Sequence, residues 1–240
     1  MKMGNTYFRF KQFTVQQDKS AMKVCTDASL FGAWISSKLE NSLLHRESIL
    51  DIGTGTGLLS LMLAQSTSSL IDALEIDTDA FEQASDNISN SQWKHRIQLF
   101  HTDARTFQSA KKYDLIVSNP PFFENDLSSP EEKKNMAKHS STLTLHELLE
   151  IVEKLIHPKG SLAILLPAHR CQQFKQMAAV NNFHLLYEAM VRQTPKHDFF
   201  RCMLIFSKQA FEKIGEEEIV IQQYGKNTQY FAELMKEYYL

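Results

Sequence analysis

The chain predicts an α/β fold, a mainly parallel sheet covered by helices on both faces, and three observations carry that expectation. Apolar strand-like runs alternate with helical stretches from residue 49 onward. A glycine-rich turn, Asp51-Ile52-Gly53-Thr54-Gly55-Thr56-Gly57, follows the first of these strands. A second loop, Asn119-Pro120-Pro121-Phe122, closes the run Tyr113-Asp114-Leu115-Ile116-Val117-Ser118. In such sheets ligands bind beyond the carboxyl ends of the strands, where both loops fall.

Residues 6–16 alternate, with Phe8 and Phe10 two apart and Phe13 and Val15 two apart, which predicts two short strands around Lys11-Gln12. Asp27 opens a helical stretch through Trp34 to Leu39. Ile49-Leu50-Asp51-Ile52 reads as a strand, 58–65 as a helix, 70–76 as a strand, and 78–89 as a helix with Thr78 as N-cap. Ile97-Gln98-Leu99-Phe100 and 115–117 follow as strands with no clear helix between them. Thr144 stands three residues before Glu147, the spacing of a capping box, and heads a helix carrying Leu148, Ile151, Val152 and Leu155. Pro158-Lys159-Gly160 is expected to stop it. Ser161-Leu162-Ala163-Ile164-Leu165-Leu166 is the most apolar strand, as befits one buried on both faces. Strands at 184–191 and 200–206 flank a polar loop, and 219–222 and 228–239 add a short strand and an amphipathic helix bearing Phe231, Leu234, Met235 and Tyr239.

At 240 residues the chain fits a single domain. A formal net charge of -2 excludes a protein that coats nucleic acid non-specifically, which needs a broad cationic face. Cys25, Cys171 and Cys202 lack a C-x-x-C spacing and are expected to be free thiols in a reducing compartment. His95, His101, His139 and His146 show no ligand spacing, so no metal is expected. The apolar run at 58–64 contains Ser60 and is too short to span a bilayer, and no continuous apolar stretch of signal-peptide length follows the N-terminus. A soluble, cytoplasmic protein with no membrane partner is the expectation.

Gly53, Gly55 and Gly57 let the backbone turn tightly and bring amides close to a ligand. Leu58 stands where a dinucleotide turn would want Gly or Ala, and no Lys follows as in a phosphate-cradling loop. The pattern D-x-G-x-G-x-G instead resembles the loop that holds S-adenosylmethionine, with Asp51 facing the amino-acid end of that zwitterion. Glu75, 22 residues after Gly53, is placed to accept both ribose hydroxyls, with Asp77 as competitor. Strand alternation allows only one of Glu75 and Ile76 to face the pocket, and the carboxylate is favoured. Asp103-Ala104, after the next strand, is placed to meet an adenine amino group.

Two prolines after Asn119 remove two backbone donors and stiffen the loop. An exocyclic amine donates two hydrogens, which the Asn119 side-chain oxygen and the Pro120 carbonyl are suited to accept. Pro121 and Phe122 would then flank the substrate, with Phe122 as a flat face for a base, a contact worth ~1–3 kcal/mol elsewhere.

These motifs resemble those of class I S-adenosylmethionine-dependent methyltransferases of the N-P-P-[YF] type, which modify planar amines. Phe8-Arg9-Phe10-Lys11-Gln12-Phe13, Met22-Lys23-Val24-Cys25-Thr26-Asp27 and Gly32-Ala33-Trp34 narrow the resemblance to bacterial tRNA methyltransferases. Those enzymes modify N6 of the adenosine beside the anticodon of a valine tRNA. The resemblance implies a Rossmann-like fold with a seven-stranded sheet, S-adenosylmethionine as cofactor, tRNA as partner and a monomer. It implies that residues 1–45 form an extension over the cofactor and substrate site, with Thr26 and Asp27 near the amino-acid moiety. Lys133, Lys134 and Lys138, and separately Arg192, Lys196 and Arg201, are the basic residues expected to meet RNA. Methylation of a release-factor glutamine, methylation of guanine N2 in rRNA, and a non-catalytic RNA-binding module are the alternatives left open by the loop alone.

Overall fold

The computed structural model describes residues 5–20, 23–40, 47–121 and 143–240. An antiparallel hairpin, β1 (Tyr7–Arg9) and β2 (Thr14–Gln16), precedes helix α1 (Thr26–Leu39). Next come β3 (Ser48–Ile52), α2 (Leu58–Ser66), β4 (Leu70–Glu75), α3 (Thr78–Ser89), β5 (Ile97–His101) and β6 (Tyr113–Ser118). The second half holds α4 (Leu145–Leu155), β7 (Ile156–Pro167), α5 (Cys171–Val180), β8 (His184–Arg192), β9 (Arg201–Ser207) and β10 (Gly215–Val220). A two-residue hairpin, β11 (Gln222–Gln223) with β12 (Lys226–Asn227), leads to α6 (Gln229–Met235).

The main sheet has the order β10-β8-β9-β7-β6-β3-β4-β5, and only β9 runs antiparallel to its neighbours. It has eight strands rather than the seven expected, because Gly215–Val220 pairs along β8. The expected strand at 219–222 is thus the end of a longer one that leaves the ladder at Val220. Its polar sequence hid it: Glu217, at its middle, accepts hydrogen bonds from Trp34 Nε1 at 3.0 Å and from the Tyr230 hydroxyl, and pairs with Lys38.

Side chains alternate across the sheet as the pleat requires. Ala163, Leu165, Met203 and Ile205 join the apolar cluster formed with α1, α2, α3, α6 and the N-terminal hairpin. Leu162, Ile164, Leu166, Leu204 and Phe206 face the other cluster, with α4 and α5. Helices therefore cover both faces.

Three local expectations change. Asp77, not Thr78, caps α3, its side chain accepting from Ala80 N at 2.9 Å, because the carboxylate reaches the third amide of the first turn. Helix α4 ends at Leu155, before Pro158-Lys159-Gly160, since Ile156 is already extended and paired with Tyr113. Helix α5 was not foreseen, because only Cys171, Phe174 and Ala178 of its ten residues are buried. The capping box of α4 forms as expected: Glu147 N donates to Thr144 Oγ1 at 3.1 Å and Thr144 N to Glu147 Oε2 at 2.8 Å. Thr144→Ala is expected to cost about 1 kcal/mol of stability with an unchanged denaturant slope, measured by urea unfolding.

Candidate functional site

Strands β3, β4, β5, β6, β7 and β8 end at one edge of the sheet, and antiparallel β9 begins there. The loop after β3 is held from below: Gly53 N and Thr54 N both donate to Leu74 O, at 3.0 and 2.9 Å. Gly53 and Gly55 have φ of +73° and +59°, a region that side chains other than glycine rarely adopt. A Cβ at either would meet none of the described residues within 4 Å, so both border open space there, whereas one at Gly57 would lie 3.6 Å from Ile88.

Asp51 is wholly buried. Its Oδ2 accepts from Thr54 Oγ1 at 2.6 Å and Ser60 Oγ at 2.7 Å, which ties the loop to the first turn of α2. Its Oδ1 is buried with no hydrogen-bond partner among the described residues. Burial, opposed by the two hydroxyls and reinforced by the charge of Glu75, pushes its carboxyl up to about 6.

Glu75 closes β4 and turns inward, while Ile76 is 44% exposed. Glu75 Oε2 accepts from Gly55 N at 2.8 Å, and Oε1 from Ile76 N and Asp77 N at 2.9 Å each. The carboxylate thus braces the glycine turn, and Asp77 is committed to capping α3.

Asp103 lies beyond β5, but Arg105 embraces it, with Nε at 2.9 Å and Nη2 at 2.6 Å from Oδ2 and its own N at 2.9 Å from Oδ1. That guanidinium holds the Asp103 carboxyl below the usual range. Ala104 beside it is half-buried against the cluster under α4. The sequence reading missed Arg105, although its spacing of two from Asp103 was a visible signal.

Asn119 follows β6, and register sets Ser118 beside Ile52, so the Asn119 and Gly53 loops leave adjacent strands together. Ser118 Oγ donates to Ile52 O at 2.9 Å and locks the two strand ends. Asn119 Oδ1 is buried and, like Asp51 Oδ1, has no partner among the described residues. Pro120 and Pro121 line a small cavity with Leu143, Leu145, Leu166, Pro167 and Arg170. Phe122, Lys133, Lys134 and Lys138 lie outside the described residues.

Thr26 and Asp27 begin α1 behind Cys25, which is the N-cap and makes no side-chain capping bond. Asp27 Oδ2 pairs with Arg201 Nε at 2.6 Å and its Oδ1 accepts from Ala28 N at 3.0 Å. Arg201, expected from the sequence to meet RNA, ties the start of α1 to the sheet edge. Arg192 Nε donates to Glu218 Oε1 at 2.7 Å and its guanidinium lies 4.9 Å from the Phe199 ring centroid. Lys196 is exposed on the loop that follows.

The two unpartnered oxygens and the open space over Gly53 and Gly55 suit a ligand that is cationic and donates hydrogen bonds. A polyphosphate does not fit, because both orphaned groups are acceptors and one is a carboxylate. Among the described residues no group of three or more His, Cys, Asp and Glu is placed to hold a metal, and no helix is long and apolar enough to cross a membrane.

The folded protein holds Asp51 above its unfolded value, so this group favours folding below the ordinary carboxylate range and loses that contribution as pH rises through about 6. Urea midpoints of wild type are expected to fall relative to those of Asp51→Asn across this interval. Parallel profiles would place the proton elsewhere.

A family model described as methyltransferase small domain matches residues 33–189. A tRNA1(Val) (adenine(37)-N6)-methyltransferase of Dyadobacter fermentans is 43% identical over 241 residues, covering 98% of each chain. A protein of the same name from Bacteroides thetaiotaomicron is 41% identical over 243 residues, covering 99% of each. Among solved structures, a predicted O-methyltransferase from Agrobacterium tumefaciens has a TM-score of 0.67 over 88% of this chain and 96% of its own at 14% identity, a likeness of fold. With relatives this similar along nearly its whole length, the chain belongs to the methyltransferase small domain family and, within it, to the family of tRNA1(Val) (adenine(37)-N6)-methyltransferases.

Proposed function

We propose that the protein transfers a methyl group from S-adenosylmethionine to N6 of an adenosine in tRNA, the one beside the anticodon of a valine tRNA. The observation that carries this reading is Asn119 Oδ1, buried and without a partner among the described residues, at the strand end next to the glycine turn. The names of the relatives, which specify adenine 37 of tRNA1(Val), support the choice of substrate.

Gly53 and Gly55 leave room for the cofactor beside the turn, and Gly57 sets the turn against α3. Asp51 Oδ1 would receive a proton donor from its amino-acid end, with Thr26 and Asp27 nearby. Glu75 retains acceptor capacity for ribose hydroxyls while it holds Gly55 N. Asp103 and Ala104 would border the adenine, with the Asp103 backbone better placed for that than its side chain, which Arg105 occupies. When bound, S-adenosylmethionine supplies an electrophilic methyl group on a good leaving group.

Asn119 Oδ1 and the Pro120 carbonyl would accept the two hydrogens of the substrate amine, holding its lone pair out of conjugation and toward the methyl. Pro120 and Pro121 fix that geometry. No strong base is required, since orientation alone supplies roughly 7–11 kcal/mol in favourable cases and the proton leaves to water after transfer. Phe122 would stack on the base. A base in an anticodon loop is already single-stranded, which lowers the cost of splaying it into the site.

The basic residues Arg192 and Lys196 lie on the same sheet edge and, with Lys133, Lys134 and Lys138, would meet phosphates. Binding of this kind suits a chain whose net charge is -2, because only one edge need be cationic. The reading is of a single-domain, monomeric, cytoplasmic enzyme whose first 45 residues extend over the cofactor and substrate site.

Asn119→Ala is expected to abolish transfer while leaving S-adenosylmethionine affinity within a few-fold, which calorimetry and turnover together check. Equal activity would remove the proposed role. Glu75→Ala is expected to weaken cofactor binding roughly tenfold, the equivalent of about 1.4 kcal/mol. The reading as a whole is tested with methyl-labelled cofactor and bulk tRNA from cells lacking the enzyme, followed by nucleoside analysis. Labelled N6-methyladenosine in one tRNA species is expected; label in protein or rRNA, or none, would overturn the substrate.

A further inference from the structure

Helix α3 carries an asparagine whose side chain joins two parts of the molecule far apart in sequence. Asn87 is 3% exposed. Its Oδ1 accepts from Gln16 N at 2.8 Å and its Nδ2 donates to Gln16 O at 2.9 Å, so the carboxamide pairs with β2 as a neighbouring strand would. The second Nδ2 hydrogen goes to Thr56 O, also at 2.9 Å, inside the glycine turn. Both donors of the amide are therefore used, one on the N-terminal hairpin and one on the turn. The same helix supports the turn at Gly57 through Ala84 and Ile88.

The segment that follows the hairpin has an anchor of its own on α3, and this contact does not involve the turn. Gln83 Oε1, 1% exposed as a residue, accepts from Lys19 N at 3.0 Å. From the hairpin the chain continues through Gln17, whose Oε1 accepts from Val24 N at 2.7 Å, to Thr26 and Asp27. Asn87 alone among these contacts reaches both the hairpin and the Thr54–Gly57 backbone.

We propose that Asn87 is a positioning residue of the cofactor site, coupling the docking of the N-terminal hairpin to the conformation of the glycine turn. The inference rests on the reading that this turn holds S-adenosylmethionine. Coupling between sites is reciprocal, so a docked hairpin raises cofactor affinity and bound cofactor holds the hairpin down by the same factor. Leu in its place removes all three bonds, and Asp sets a carboxylate against two carbonyl oxygens.

The test compares Asn87→Leu and Gln83→Leu in the full chain. Asn87→Leu is expected to weaken S-adenosylmethionine binding by roughly tenfold, within the usual range of site coupling, with KM for tRNA near the wild-type value. Gln83→Leu is expected to lower the melting temperature but to keep wild-type cofactor affinity. An equal loss of affinity in both, or in neither, overturns the coupling. Should Asn87→Leu fail to fold, hydrogen exchange on wild type decides: S-adenosylmethionine slows exchange at the Gln16 amide if the coupling holds, and leaves it unchanged if it does not. A wild type that binds no S-adenosylmethionine overturns the functional reading and this inference with it, whereas one that binds but shows no coupling overturns this inference alone.

Discussion

One carboxylate at the end of the central strand governs the site. Asp51 spends Oδ2 on two hydroxyls, Thr54 and Ser60, and that pair of bonds sets the turn between β3 and α2. Removing a carboxylate from water is costly unless its oxygens find donors, and among the described residues only one of them does. The turn is thereby shaped from inside by a group that stays incompletely satisfied among the described residues. Glu75 braces the same turn from the next strand through Gly55 N. Two acidic side chains thus stand at a turn where a phosphate loop would present backbone amides and a lysine, an arrangement that suits a cationic ligand better than an anionic one.

The topology brings the remaining groups to this place. Parallel strands deliver the ends of β3, β4, β5 and β6 side by side, while the reversal of β9 returns the chain to the same edge, so that Arg201 reaches Asp27. The N-terminal hairpin arrives from the other side on α3. The glycine turn, the Asn119 loop and the N-terminal segment are consequently three neighbours that share supports, and not three separate devices.

Much of this was legible in the sequence because it rests on short-range rules. The glycine turn, the inward carboxylate at Glu75 with Ile76 outside, the capping box at Thr144 and Glu147, and the terminal hairpin at β1 and β2 all follow from spacing or alternation over a few residues. What escaped depends on partners distant in the chain. Arg201 reads as a free cation until β9 is known to start beside α1. Glu217 reads as a solvated charge until Trp34, Lys38 and Tyr230 converge on it. Asn87 is an ordinary polar residue of an amphipathic helix until β2 is laid across it. Arg105 differs: it lay two residues from Asp103 and was overlooked.

The eighth strand has a consequence for the fate of the sheet's outer edge. Any terminal strand offers unpaired amides and carbonyls on which another chain can build, and β8, half apolar and nine residues long, would offer many. Gly215–Val220 covers it with a strand whose sequence opens Gly-Glu-Glu-Glu, so the edge that finally meets solvent is short and acidic. Lateral growth into fibrous assemblies is thereby disfavoured.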